Sequence, residues 1–144
     1  MVHSWSVGTV FVSLGMEMKE YKVNVETAVT ANMIECIVVG ALEGGSNYWY
    51  MLGEGIPPSD GNPIADRILN ALFNDSDYKL EILDLEDEEG EPLGYLTLDV
   101  LLNAFQIVSK NYPEHFYNLL TGNDDAETAD VFFQCAVMGE VVFG

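Results

Sequence analysis

Ala41-Leu42-Glu43-Gly44-Gly45-Ser46-Asn47-Tyr48-Trp49-Tyr50 compresses a helix end, a paired-glycine turn and three consecutive aromatics into ten residues. Upstream of it, Thr30 stands where an N-cap belongs. Met33, Ile34, Ile37, Val38, Ala41 and Leu42 then form one apolar stripe at helical spacing, which stops at Gly44 and Gly45. Downstream, residues 48–52 are short, aromatic and bounded by glycines. They predict a strand with Tyr48 and Tyr50 on one face and Trp49 on the other.

Working outward, residues 10–14 and 21–25 read as two strands joined by a hairpin at 15–20. Tyr21, Val23 and Val25 alternate with polar neighbours in the second. The first helix is expected to pack on that hairpin. Residues 53–62 are a loop by their Gly and Pro content, and Asn62-Pro63 opens a helix whose buried face is Ile64, Ile68, Leu69, Leu72 and Phe73. Tyr78, Leu80 and Ile82 alternate as a strand, and residues 93–98 return beside it. Thr97 or Asp99 caps a helix over about 100–110, which Tyr112-Pro113 interrupts. A short helix runs to Leu120, and a last one spans about 126–138 with Val131, Phe132, Cys135 and Ala136 inside. Strands and helices in this order predict an α+β fold. We expect an antiparallel sheet of about four to six strands packed with about four helices.

The chain has 144 residues, 49% of them hydrophobic, which suits a single globular domain over 1–144 with its own core. Its 24 Asp and Glu against 5 Lys and Arg leave a formal charge of -19. With so much apolar content that charge belongs on the surface of a folded body, where it repels nucleic acid and anionic membranes. Cys36 and Cys135 lie in apolar segments without pairing or metal spacing, as reduced core thiols do. No basic region precedes the N-terminal apolar stretch, and no apolar run approaches the roughly 20 residues of a bilayer span. The expected location is the cytoplasm.

The stretch from Ala41 to Tyr50 is one of three that occur together. The others are Lys110-Asn111-Tyr112-Pro113-Glu114-His115-Phe116 and the ending from Asp124 through Val131-Phe132-Phe133-Gln134 to Gly139-Glu140-Val141-Val142-Phe143-Gly144. Together they resemble a family of small, mostly uncharacterised proteins encoded by tailed bacteriophages. The resemblance spans residues 21–52 and 78–144 and leaves out the opening residues 1–15. It implies action inside an infected bacterial cell, against a host process such as antiviral defence, and supplies no biochemical role.

Two binding chemistries fit the residues. Gly44 and Gly45 let backbone approach a ligand, Ser46 and Asn47 offer compact donors and acceptors, and Tyr48 and Tyr50 can stack on a base, with Arg67 as anion partner. That set predicts capture of a small nucleotide-like signal, the first expectation. The alternative uses Asp84, Glu86, Asp87, Glu88, Glu89 and Glu91, which with Glu81 put seven carboxylates into eleven residues. Such an array can imitate nucleic-acid phosphates and occupy a basic host defence or DNA-processing protein. Asp124, Asp125, Glu127 and Asp130 form a second acidic surface cluster.

Other chemistry finds little support. Asp84, Glu86 and Glu88 alternate like calcium ligands, but Gly90 falls one residue late for an EF-hand turn, and His3 and His115 make no zinc set. Gly53-Glu54-Gly55 is too short for a nucleotide loop, and His115 reads as a surface histidine at a helix start. We expect no catalysis, metal or cofactor. Val141-Val142-Phe143 is expected to pair at a sheet edge, within the domain or across a homodimer.

Overall fold

The computed structural model describes residues 19–144. Within them the expected first helix forms as α1, Ala31–Gly40, and the Thr30 hydroxyl accepts from Met33 N at 3.2 Å. Its stripe of Ile34, Ile37, Val38 and Ala41 is buried. Ala41–Gly45 then loosens into a π turn, closed by Ser46 N donating to Ala41 O at 3.0 Å. Gly44 leaves the helix at φ 157, a conformation that residues with a Cβ avoid. At Gly45 a Cβ would collide with the backbone carbonyl of Ala126, so the missing side chain sets how closely this turn can cross the start of the last helix.

The strand that follows is β1, Tyr50–Leu52, shorter than expected. Trp49 N donates to Ser46 O at 3.2 Å, so residues 47–49 are a turn and the alternation of faces from Tyr48 to Tyr50 does not apply. β2, Leu80–Asp84, pairs antiparallel with β1, with Tyr50 opposite Asp84 and Leu52 opposite Ile82. β3, Gly94–Leu96, pairs antiparallel with the other edge of β2, with Leu80 opposite Leu96. Leu80, Ile82 and Leu96 are fully buried on the inward face.

The described sheet therefore has three strands in the order β1-β2-β3, where four to six were expected. Tyr21 makes a single β-bridge, but residues 22–30 form no regular structure, so the strand expected at 21–25 does not extend beyond that residue, and Tyr21, Val23 and Val25 are exposed. The strand expected at 10–14 and its hairpin lie outside the described residues. Residues 141–143 join no sheet, for reasons given below.

The remaining helices are α2, Ile64–Asn74; α3, Leu98–Asn111; α4, Pro113–Leu120; and α5, Ala126–Met138. Thr97 caps α3 by accepting from Val100 N at 3.1 Å. Asn62 does not cap α2: its carbonyl instead accepts from Arg67 Nη1 at 3.2 Å. Ala65, Ile68, Leu69 and Leu72 form the buried face of that helix, while Ile64 and Phe73 at its two ends are exposed. Asp125 caps α5 by accepting from Thr128 N at 2.9 Å, and Gly139 ends it in the left-handed conformation at φ 83.

α5 is the centre of the molecule. Every residue from Thr128 to Val137 is buried, and α1, α3, α4, the π turn and β3 all pack against it. A helix covered on all sides is apolar all round, and α5 supplies Val131, Phe132, Phe133, Cys135, Ala136 and Val137. No helix among the described residues is long and apolar enough to cross a membrane.

Replacing Gly45 by Ala presses a methyl group against backbone that cannot rotate away. We expect Gly45→Ala to lower stability by about 1–3 kcal/mol, the usual scale of overpacking. An unchanged urea midpoint would show that the π turn and α5 are not held at this distance.

Candidate functional site

Three polar side chains interrupt the apolar length of α5, namely Thr128, Asp130 and Gln134, and each is buried. Asp130 is the costliest, because a carboxylate taken from water needs donors or a cation in return. It receives hydrogen bonds from Ser46 Oγ at 2.7 Å, Tyr48 OH at 2.6 Å, Trp49 Nε1 at 2.8 Å and Gln134 Nε2 at 3.0 Å. Three of the four donors come from the turn between α1 and β1. The π turn makes this possible, since its wider closure delivers Ser46 to α5 and the next turn points the Trp49 indole N–H inward.

Gln134, one helical turn beyond Asp130, extends the network to the end of the chain. Its Oε1 accepts from Val142 N and Phe143 N, both at 2.8 Å, and its Nε2 also approaches Phe143 O at 3.1 Å and Tyr48 OH at 3.2 Å. Val141 N donates to Tyr112 OH at 3.2 Å. The tail residues thus satisfy their backbone groups on side chains instead of a strand, which is why no edge strand forms. Phe143 stacks on Trp49 at 5.3 Å between ring centroids and 11° between planes. Trp49 and Tyr50 also pack on Phe133, at 5.6 and 5.5 Å.

The three stretches singled out in the sequence therefore meet around Asp130 and Gln134. Ser46 is fully buried and committed to Asp130, Tyr50 is half-buried against Phe133, and Gly44 and Gly45 shape the turn. Asn47 is exposed, and Tyr48 is 47% exposed while its hydroxyl bonds Asp130. Arg67 is bonded to the Asn62 carbonyl, and no hydrogen bond or ion pair among the described residues joins it to residues 44–50. Asp130 itself departs from expectation, because it belongs to the core and not to an acidic surface cluster. Asp125 stays exposed, and the Thr128 N–H it caps holds its carboxyl below the usual range. An acidic and an amide side chain four residues apart, flanking Val131-Phe132-Phe133, were the available signal for a buried pair.

Beside the network lies a cavity of about 440 Å³, lined by Tyr48, Glu127, Asp130 and Gln134 and by the tail from Val141 to Gly144. The Tyr48 phenol facing it is pushed up to about 12 by burial, by its bond to Asp130 and by that carboxylate's charge, with Glu127 adding to the effect and the Gln134 donor opposing it.

The acidic run occupies the tip between β2 and β3. Asp84 Oδ1 accepts from Glu86 N at 2.9 Å, Asp87 N donates to Asp84 O at 3.0 Å, and Gly90 N donates to Asp87 O at 3.1 Å. Glu86, Asp87, Glu88, Glu89 and Glu91 are exposed on this folded tip, and Asp84 is half-buried at its base. Leu85 N donates to Trp49 O at 3.0 Å, so the tip and the Tyr48 turn share one end of the sheet. His115 is half-buried with Nδ1 2.9 Å from Thr128 Oγ1. No group of His, Cys, Asp and Glu among the described residues has the geometry of a metal site.

Fold and site together define a mixed helix and sheet protein, built on a polar knot, that displays an acidic end. No protein-family model matches the chain, and no curated protein or solved structure shows significant similarity to it.

Two measurements test the knot. Asp130→Asn removes the charge and turns an NH₂ toward groups that are themselves donors, so it is expected to lower stability by about 2–4 kcal/mol in urea. Tyr48 gives a pH signature. An unfolded tyrosine ionises near about 10, and the folded value is raised, so this phenol's contribution is complete below about 10 and drains as pH climbs through about 12. Tyr78, also raised to about 12 by burial, adds to the same window. The diagnostic is accordingly the difference between wild type and Tyr48→Phe, whose stability should fall less steeply over that range. Parallel curves would sever Tyr48 from the network.

Proposed function

We propose that the protein is a non-enzymatic binder that blocks a host process by occupying a basic surface of a host protein with its own acidic end, in place of nucleic-acid phosphates. The observation that carries this reading is the β2–β3 tip. Its carboxylates are exposed, held on a hydrogen-bonded turn, and free of cation partners among the described residues, where the one ion pair is Lys22 with Glu20. Charges fixed on a folded tip lose little freedom on binding, and a net charge of -19 draws a basic partner from a distance. The resemblance to tailed-phage proteins supports a host target, antiviral defence above all, in the cytoplasm of an infected bacterium.

Capture of a nucleotide-like signal at Gly44 to Tyr50 becomes the second reading. The cavity beside Tyr48 favours some ligand there, but its polar wall includes Glu127 and Asp130, and Arg67 is engaged with Asn62. A phosphate entering it would meet like charge.

The test replaces Glu86, Asp87, Glu88 and Glu89 together by Lys. These side chains make no hydrogen bonds in the described structure, so folding should be unaffected. Retention of basic nucleic-acid-binding proteins on the immobilised protein should fall by about tenfold or more and become far less salt-sensitive, and duplex DNA should compete with wild type. Undiminished retention would remove the acidic tip from function. A nucleotide-mass species released by denaturing protein from infected cells would restore the second reading.

A further inference from the structure

We propose that the cavity beside Tyr48 receives a single lysine or arginine side chain from the partner. The inference rests on the reading above and adds a specific site to it. An alkylammonium or alkylguanidinium needs an apolar sleeve for its stem and an acidic end for its head. The cavity, about 440 Å³, offers Val131, Val142 and Phe143 for the first and Glu127, Asp130 and the Tyr48 ring for the second.

Asp130 has no lone pair to spare, since its two oxygens already accept four hydrogen bonds. All four donors are neutral, however, so its charge is solvated but not cancelled, and its field reaches the cavity. Glu127 is the group free to touch a cation: it is exposed on the first turn of α5, and its side chain makes no hydrogen bond or ion pair among the described residues. The exposed Tyr48 ring adds a face that a cation can lie against. The Tyr48 phenol is raised first by burial, and the charges of Asp130 and Glu127 add to that effect.

Position supports the same occupant. Tyr50 pairs with Asp84, and Leu85 N bonds Trp49 O, so the cavity's Tyr48 and the acidic tip lie at one end of the β1–β2 pair. A basic surface drawn to the tip is thereby brought to the cavity, where one of its side chains gains a shaped site. The tip supplies attraction and the cavity supplies selectivity.

1-Butylguanidinium, which carries the arginine head on a short apolar stem, is the probe, with N-butylurea as its uncharged counterpart. Titrated into the full chain and followed by ¹H–¹⁵N NMR, butylguanidinium should saturably shift the Trp49 indole N–H and the Val142, Phe143 and Gly144 amides. N-butylurea should not. Glu127→Gln should weaken butylguanidinium by about three- to fivefold, the size of an exposed ion pair, with its melting curve confirming the fold. Equal shifts from N-butylurea, no shifts in the tail, shifts confined to residues 86–89, or an unchanged titration in Glu127→Gln would each overturn the inference. The two readings fail separately. If lysine substitution of the tip abolishes partner retention while Glu127→Gln leaves butylguanidinium unaffected, the cavity falls and the acidic end stands. If butylguanidinium obeys Glu127 while the tip variant retains the partner fully, the cation cavity stands and the tip falls.

Discussion

A carboxylate withdrawn from water without a cation beside it persists only where donors converge on it, and the arrangement of this protein follows from meeting that demand at Asp130. Burial of such a charge costs several kcal/mol, and a hydrogen bond to a charged group returns about 1.5–3 kcal/mol. One or two donors would leave a deficit, whereas four are of the right order. Because Ser46, Tyr48 and Trp49 reach Asp130 from 81 to 84 positions away in the chain, the charge specifies a long-range contact. An apolar cluster would tolerate sliding at this crossing, but a carboxylate with four directed partners does not.

That constraint propagates in two directions. Toward the C-terminus, Gln134 donates its amide N–H to Asp130 and accepts on its own carbonyl from the backbone N–H groups of Val142 and Phe143, which seats Phe143 on Trp49. Toward the sheet, fixing Trp49 fixes the entry of β1. β2 pairs with β1 in register, and Leu85 N closes on Trp49 O, so the position of the acidic tip is tied to the same point. A buried charge on α5 and an exposed array of charges on the β2–β3 tip are two ends of one framework.

The legible and illegible parts of the sequence divide along the range of the interactions involved. Thr30 and Thr97 as caps, the stripe of α1, the inward alternation of Leu80 and Ile82, and the ends of α5 depend on neighbours a few residues apart, and each could be read in sequence. The strand expected at 48–52 failed at its first two residues because Ser46 and Trp49 close a turn whose purpose is a donor set for a distant acid. Asp130 was misplaced to the surface for the same reason: a carboxylate near Asp124, Asp125 and Glu127 looks solvated until its partners across the fold are known. Val141 to Phe143 had the pattern of an edge strand, yet side chains supplied the hydrogen bonds that a neighbouring strand would have offered. Of the candidate ligand residues, Ser46 was read as a compact donor and Tyr48 as a stacking ring, whereas both hydroxyls donate to the protein's own Asp130.

This commitment of Ser46 and Tyr48 also supports, on electrostatic grounds, the proposal of a cationic rather than an anionic ligand for the region. Anion sites present unspent N–H donors or fixed cations, and here the donors of the turn are spent on Asp130 while Arg67 bonds a carbonyl at the start of α2. What faces outward is negative charge without compensation among the described residues: Glu127 at the cavity, and Glu86 to Glu89 on the adjoining tip. With 24 acidic side chains against 5 basic ones, the chain has too few cations of its own to neutralise that surface. Self-repulsion among those carboxylates raises the free energy of the isolated fold. A cationic partner of the kind proposed would relieve part of that repulsion, so acidity that weakens the free protein would strengthen such a complex.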